Sequence, residues 1–239
     1  MDVGVKPHPS FLGVYQVTLE DRSHKIATLN LSQGRNVYGE RLIKIGDAEY
    51  RLWDPFRSKL AGAILKGLKN QPIKPDCKVL YLGAASGTTA SHVSDVVGNK
   101  GYVYCVEFAP RSIRDLIDNV CRFRTNMAPI LADARFPTQY APMVESVEVI
   151  YCDIAQPEQA KILANNAKVF LQRSGWVLIA VKARSIDVTK EPSEVYKREI
   201  GVLKENGFAI HDVIHLEPYD KDHAMITAKN APKNHYSRN

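Results

Sequence analysis

Up to about residue 50 the chain alternates apolar and polar residues in short runs, whereas from residue 78 such runs interleave with stretches of helical period. Alternation over residues 13–19 and 25–30, joined by the polar, turn-prone Glu20-Asp21-Arg22-Ser23, predicts a β-hairpin. Residues 36–43 and 49–53 read as further strand material, so residues 1–54 are expected to form a small β-rich domain. Asp54-Pro55 marks a change, because Asp caps helix N-termini and Pro suits the first helical position. A helix is expected over residues 55–69, with Leu60, Ile64, Leu65 and Leu68 on the apolar face and Lys59 and Lys66 opposite.

Beyond it, strands are predicted at 78–82, 102–107, 127–131, 147–153, 175–182, 208–216 and 224–228. Helices are predicted at 88–97, 110–123, 157–170 and 192–205, with Pro110, Pro157 and Pro192 near their starts. Strands alternating with helices imply parallel strands joined by crossovers, hence an open, doubly wound α/β sheet of Rossmann-like type over residues 55–239. The last two strands are separated by too few residues for a crossover, so the seventh should run antiparallel.

Composition narrows the class. The 239 residues are 45% hydrophobic and 24% charged with mean hydropathy −0.24, which excludes a disordered tail and a membrane protein. No apolar run approaches the roughly 18 residues a span needs, and no basic-then-apolar leader opens the chain, so an intracellular protein is expected. Cys77, Cys105, Cys121 and Cys152 form no C-x-x-C pair and have no nearby histidine ladder, so they read as core side chains and no metal site is expected. The net charge of +6 comes from one stretch: residues 57–131 hold eleven basic and five acidic residues, while the rest of the chain balances. A polyanionic partner and a solvated helix face both account for that excess.

The first strand of the predicted sheet runs into Gly83-Ala-Ala-Ser-Gly87-Thr-Thr89 and then a helix, where such sheets bind nucleotide-like ligands. Thr88 stands where a Walker loop needs lysine, and of a dinucleotide fingerprint's glycines only Gly83 and Gly87 are present, four apart, so no pyrophosphate turn is specified. The loop therefore suits a nucleoside without phosphates. Glu107 ends the second strand and can accept both ribose hydroxyls. Asp133, with Ala134 beside it, follows the third and suits an adenine amine; Asp153 follows the fourth and suits an ammonium group. Three acids at successive strand ends point to S-adenosylmethionine as cofactor.

Several stretches carry a closer resemblance: Asn36-Val-Tyr-Gly-Glu40, Arg51-Leu-Trp-Asp-Pro-Phe-Arg-Ser-Lys-Leu60, Leu80 to Thr89, Val106-Glu-Phe-Ala-Pro-Arg-Ser112, Asp153-Ile-Ala-Gln-Pro157 and Leu216-Glu-Pro-Tyr-Asp-Lys-Asp-His223. Through them the chain resembles the fibrillarins, methyltransferases of box C/D ribonucleoproteins, and specifically their archaeal form. The glycine- and arginine-rich region of the eukaryotic form is missing, which implies a cytoplasmic rather than a nucleolar protein. The resemblance implies an S-adenosylmethionine-dependent RNA 2'-O-methyltransferase acting on rRNA and tRNA. Cofactor contacts are implied at Gly83, Ala84, Ser86, Gly87, Thr88, Thr89, Glu107, Phe108, Asp133, Ala134, Asp153, Ile154, Ala155 and Gln156. It also implies a catalytic set placed at Lys59, Asp153, Lys182 and His223, with box C/D guide RNA, target RNA, a Nop-family scaffold protein and a kink-turn-binding protein as partners.

In that reading Lys182, desolvated at the end of an apolar strand and oriented by Asp153, stabilises the attacking oxygen, and Lys59 steadies the ribose or its phosphate. RNA phosphates are expected over Arg57, Lys59, Lys66 and Lys69. His211 and His215 read as ordinary strand-face residues. Two rival readings are a structural ribonucleoprotein subunit and, as in some eukaryotic family members, a protein glutamine methyltransferase.

Overall fold

The computed structural model describes residues 3–231, so residues 232–239 of the expected second domain lie outside the described residues. Five strands form an antiparallel sheet in the order β1-β2-β3-β5-β4: β1 (Gly4–Pro7), β2 (Val14–Thr18), β3 (His24–Leu29), β4 (Leu42–Ile45) and β5 (Ala48–Leu52). The predicted hairpin is β2–β3. The four-residue β1, Gly-Val-Lys-Pro, is too short to give a periodic signal, and residues 36–41 are loop rather than strand, because the Glu40 carboxylate accepts the backbone N–H groups of Val37 and Tyr38 and folds the segment on itself.

The second sheet has seven strands in the order β11-β12-β10-β9-β6-β7-β8: β6 (Lys78–Leu82), β7 (Tyr102–Glu107), β8 (Met127–Leu131), β9 (Val147–Cys152), β10 (Leu171–Lys182), β11 (Phe208–His215) and β12 (His223–Asn230). The pairs β6–β7, β7–β8, β6–β9 and β9–β10 are parallel, while β12 runs antiparallel to both β10 and β11. Successive strand residues alternate between two cores. Val79, Tyr81, Val149, Tyr151, Leu178 and Ala180 face one side, under helices α1 (Lys59–Leu65), α2 (Thr88–Val97) and α3 (Pro110–Asn119); Leu80, Leu82, Ile150, Cys152, Ile179 and Val181 face the other, under α4 (Gln159–Phe170) and α6 (Pro192–Glu205). A short helix, α5 (Ala183–Ile186), follows β10.

Helix α1 is shorter than expected. Asp54 accepts the N–H of Phe56 in a local turn, and the residue that caps the helix is Ser58, whose Oγ accepts the N–H of Ala61 at 3.4 Å. At the other end Gly67 takes φ +90°, a left-handed conformation that stops the helix, and leaves Lys66 as its cap. The predicted helix over 110–123 likewise ends at Asn119, before a 3₁₀ turn at Cys121–Phe123.

The two sheets share one apolar core: Phe11, Val14, Ile26 and Trp53 pack with Leu60, Val93, Val96 and Val97. A buried polar network crosses the same contact. Arg51, fully buried, reaches Glu40 at 2.6 Å and Asp95 at 2.8 Å, and Arg124 also bonds Asp95. Arg124 therefore belongs to the interior and not to a basic surface. Of the cysteines, Cys77, Cys105 and Cys152 are buried and Cys121 is half-buried; burial pushes the thiols of Cys77 and Cys121 up to about 11 and that of Cys152 up to about 12.

Candidate functional site

Strands β6 and β9 are neighbours, but the chain proceeds from β6 outward to β7 and from β9 outward to β10. A crevice opens above their carboxyl ends, where doubly wound sheets bind ligands. Gly83 floors it at φ +82°, and a Cβ there would stand 2.5 Å from the carbonyl oxygen of Asp153, so only glycine lets the two strand ends meet. The resulting cavity of about 270 Å³ is lined by Gly83, Glu107, Phe108, Asp133, Ala134 and the run Asp153 to Gln156, all singled out in the sequence.

Other expected cofactor residues fall elsewhere. Ala84 is buried in the core; Gly87, at φ +94°, gives room to the side chains of Leu116 on α3 and of Val120 just after it; and Thr89 donates to Ser58 Oγ at 3.0 Å, tying the Gly83 to Thr89 loop to the start of α1. Ser86 and Thr88, although more accessible, are also outside the cavity lining. Val106, Ala85, Ala132 and Arg135 line the cavity and were not read from sequence. For Ala85 the signal was its place in the Gly83 to Thr89 loop, where it adopts φ +48°.

The cavity has an acidic wall. Glu107 is held by two backbone donors, Ala85 N–H to Oε2 and Ala109 N–H to Oε1, each 2.9 Å. Each oxygen keeps a second lone pair for a ligand hydroxyl. Asp133 is paired with Arg135 at 2.6 Å, and that guanidinium holds its carboxyl below the usual range. Three carboxylates and one guanidinium around a small apolar cavity suit a ligand that is cationic in part.

Lys59, first residue of α1, extends to the same edge and lies 3.0 Å from Asp153; the Asp220 carboxylate is 4.0 Å away on its other side. Asp220 in turn lies 2.9 Å from His223 Nδ1, which is also 2.7 Å from the Lys221 carbonyl oxygen. Both neighbours are acceptors, which assigns the ring proton to Nδ1 and leaves the lone pair of the neutral ring at Nε2. Lys182 pairs in register with His223 across β10 and β12, so all four expected catalytic residues meet on one edge.

Their arrangement differs from the expectation in one respect. Lys182 is exposed and forms no ion pair among the described residues, and Asp153 holds Lys59 instead. Lys182 is the last residue of β10 and the N-cap of α5, so it stands at the exposed rim of the sheet, where the buried run of the strand ends at Val181. Asp220 was missed, although it lies in the Leu216 to His223 stretch three residues before the histidine. Beneath the edge, burial raises the phenols of Tyr81 and Tyr151 well above their ordinary value, so both remain neutral.

The basic residues separate. Arg57 is exposed beside Lys59, with its guanidinium 5.9 Å from the centre of the Tyr38 ring. Lys66 follows α1, about 10 Å along the axis at 1.5 Å per residue. Lys69 lines a different cavity with Val149 and Trp176, at the amino-terminal edge of the sheet. His211 packs on Trp176, far along the strand, whereas His215 packs on Tyr196 and pairs in register with Ala224, next to His223.

Residues 5–232 match the fibrillarin family. The chain belongs to that family. A fibrillarin-like rRNA/tRNA 2'-O-methyltransferase of Staphylothermus marinus is 59% identical over 227 residues, covering 95% of this chain and 97% of the relative. The crystal structure of Aeropyrum pernix fibrillarin with natively bound S-adenosyl-L-methionine superposes with TM-score 0.89 at 56% identity, covering 95% of this chain and 99% of the other. A fibrillarin in complex with Nop5p gives TM-score 0.82 at 43% identity over 94% of this chain and 100% of the other. The fibrillarin fold thus extends over both sheets, and the acidic cavity and the lysine-bearing edge are features of a fibrillarin-family chain.

Proposed function

We propose that the chain transfers a methyl group from S-adenosylmethionine to ribose 2'-hydroxyls of rRNA and tRNA. The observation that carries this reading is the Lys59–Asp153 pair, which joins a helix of the basic stretch to the rim of the cofactor-type cavity. The residues present fit that cofactor. Glu107 has lone pairs for two ribose hydroxyls, Phe108 and Ile154 offer apolar contact, and Asp153 and Asp133 supply negative charge for an ammonium and an adenine amine.

Bound there, S-adenosylmethionine supplies an electrophilic methyl group on a sulfonium. The chain's own side chains handle the nucleophile, because a 2'-hydroxyl attacks poorly unless it is aimed and relieved of its proton. Asp153 holds the Lys59 ammonium in place, where it stabilises negative charge developing on the 2'-oxygen. His223, with its Nδ1 proton directed at Asp220 and the Lys221 carbonyl, offers Nε2 as the proton acceptor, and Asp220 would stabilise the imidazolium formed. Lys182 and Arg57, which form no ion pair among the described residues, stand at the edge to hold phosphates. These roles revise the expectation that Lys182 was the central group.

The activity is proposed to operate in a particle with a Nop-family scaffold protein, a kink-turn-binding protein and box C/D guide RNA that selects the target by base pairing. The test is transfer of tritiated methyl from the cofactor to a guide-matched RNA by the reconstituted particle. Label recovered in ribose methyl groups supports the reading; label recovered in a protein side chain, or no transfer at all, would replace it with one of the two rival functions.

A further inference from the structure

Lys59 sits at an unfavourable place for a side chain that must be aimed. It is the first residue of α1, a seven-residue helix with no acid in its first turn, which puts a cation at the positive end of the helix dipole. Helices this short are marginal and fray from their ends. The ion pair with Asp153 fixes the tip of the lysine, but a flexible four-carbon stem separates that tip from the backbone.

The backbone is fixed at Ser58. Its Oγ accepts the N–H of Ala61 as the helix cap and the O–H of Thr89 at 3.0 Å, so both lone pairs are used. Ser58 and Thr89 are both buried, where a hydrogen bond meets little competition from water. Thr89 lies in the first turn of α2, whose residues Thr89 to Val97 are all buried, so Ser58 is tied to a firmly anchored element. The loop that ends at Thr89 also reaches the acidic cavity, because Ala85 lines it and donates its N–H to Glu107 at 2.9 Å. Asp153, another lining residue, holds the lysine tip. Lys59 is thus referred to the cavity from both ends, its tip through Asp153 and its backbone through Ser58 and Thr89.

We infer that Ser58 is a positioning residue for methyl transfer. Through its bond to Thr89 it sets the first turn of α1 against the Gly83 to Thr89 loop, and so places Lys59 relative to the occupant of the cavity. Placement matters because an error of about 1 Å can cost on the order of 10²-fold in rate. The inference rests on the reading of the chain as an RNA methyltransferase in which Lys59 stabilises the attacking oxygen, and it adds the group that aims that lysine.

Single-turnover methyl transfer by the reconstituted particle, at saturating cofactor and RNA, tests it. Thr89→Val removes the donor and leaves the Ser58 cap on Ala61 in place, whereas Ser58→Ala removes both bonds. Each is expected to lower the rate about two- to tenfold, the size of one hydrogen bond and well short of the loss on removing Lys59 itself. The double variant should lose no more than Ser58→Ala alone, because the two side chains share one bond. In a Lys59→Ala background neither substitution should slow transfer further, since a positioning residue then has nothing to aim. A wild-type rate in Thr89→Val overturns the inference, as do additive losses in the double variant. The same fractional loss in the Lys59→Ala background also overturns it, because the effect would not pass through the lysine. These three results leave the functional reading standing; a wild-type particle that methylates no RNA overturns that reading and this inference with it.

Discussion

The Lys59 ammonium, on the first turn of α1, is held 3.0 Å from the carboxylate of Asp153, 94 residues later at the end of β9. Two elements that pack from different directions thus share one ion pair, at the place where the acidic cavity meets the basic edge. Both side chains are about one-fifth exposed, so the pair is accessible to a substrate without being dissolved in bulk water.

Removing the lysine should separate chemistry from binding. Lys59→Ala is expected to lower kcat for methyl transfer by about 10²- to 10³-fold, the loss typical of one preorganised charge-stabilising group. Lys59 does not line the cofactor cavity, so isothermal titration with S-adenosylmethionine should give wild-type affinity.

Glu107 predicts the converse. Its carboxylate is oriented by the N–H groups of Ala85 and Ala109, and Glu107→Gln disrupts one of these by setting donor against donor. A charged hydrogen bond contributes about 1.5–3 kcal/mol, so the cofactor dissociation constant should rise at least about tenfold. At saturating cofactor the rate of transfer should largely recover.

Arg51 concerns stability rather than catalysis. It is fully buried and neutralises Glu40 and Asp95 across the contact between the two sheets. Arg51→Ala leaves buried carboxylates short of a partner and should destabilise the protein by about 3–5 kcal/mol, read from the urea midpoint.

His92 predicts a pH dependence. Its ring is buried, stacked on Trp53 at 4.8 Å, and bonded to Thr28 at 2.8 Å and Tyr38 at 2.8 Å. Burial first, then the nearby Arg51 and Arg124 guanidinium groups, hold its pKa well below 6.5. Below pH 6.5 the unfolded chain takes up a proton at this residue that the folded protein refuses, so His92 costs stability as pH falls through that value, by up to about 1.4 kcal/mol per pH unit. Urea midpoints between pH 7.5 and 5 should decline less steeply in His92→Gln than in wild type.

The fold was largely legible in the chain because apolar periodicity of two and of 3.6 reports directly on which face each residue buries. The parallel strands from 78 to 182, the crossover helices and the antiparallel ending all carried that signal. Helix ends did not. Asp54-Pro55 has the composition of a helix start, but Ser58 won the position because the Asp54 carboxylate was already taken by a turn.

The sequence by itself determined the doubly wound sheet, the glycine at the strand-to-helix turn and the acids at strand ends, since each follows from local period and spacing. Only the tertiary structure decided which charges meet. It gave Asp153 to Lys59 rather than Lys182, inserted Asp220 between Lys59 and His223, buried Arg124, and carried Lys69 to the opposite edge from Lys59. Ion pairs between residues 94 positions apart depend on how helices lie across a twisted sheet. That packing is a property of the whole core, which no single stretch of sequence encodes.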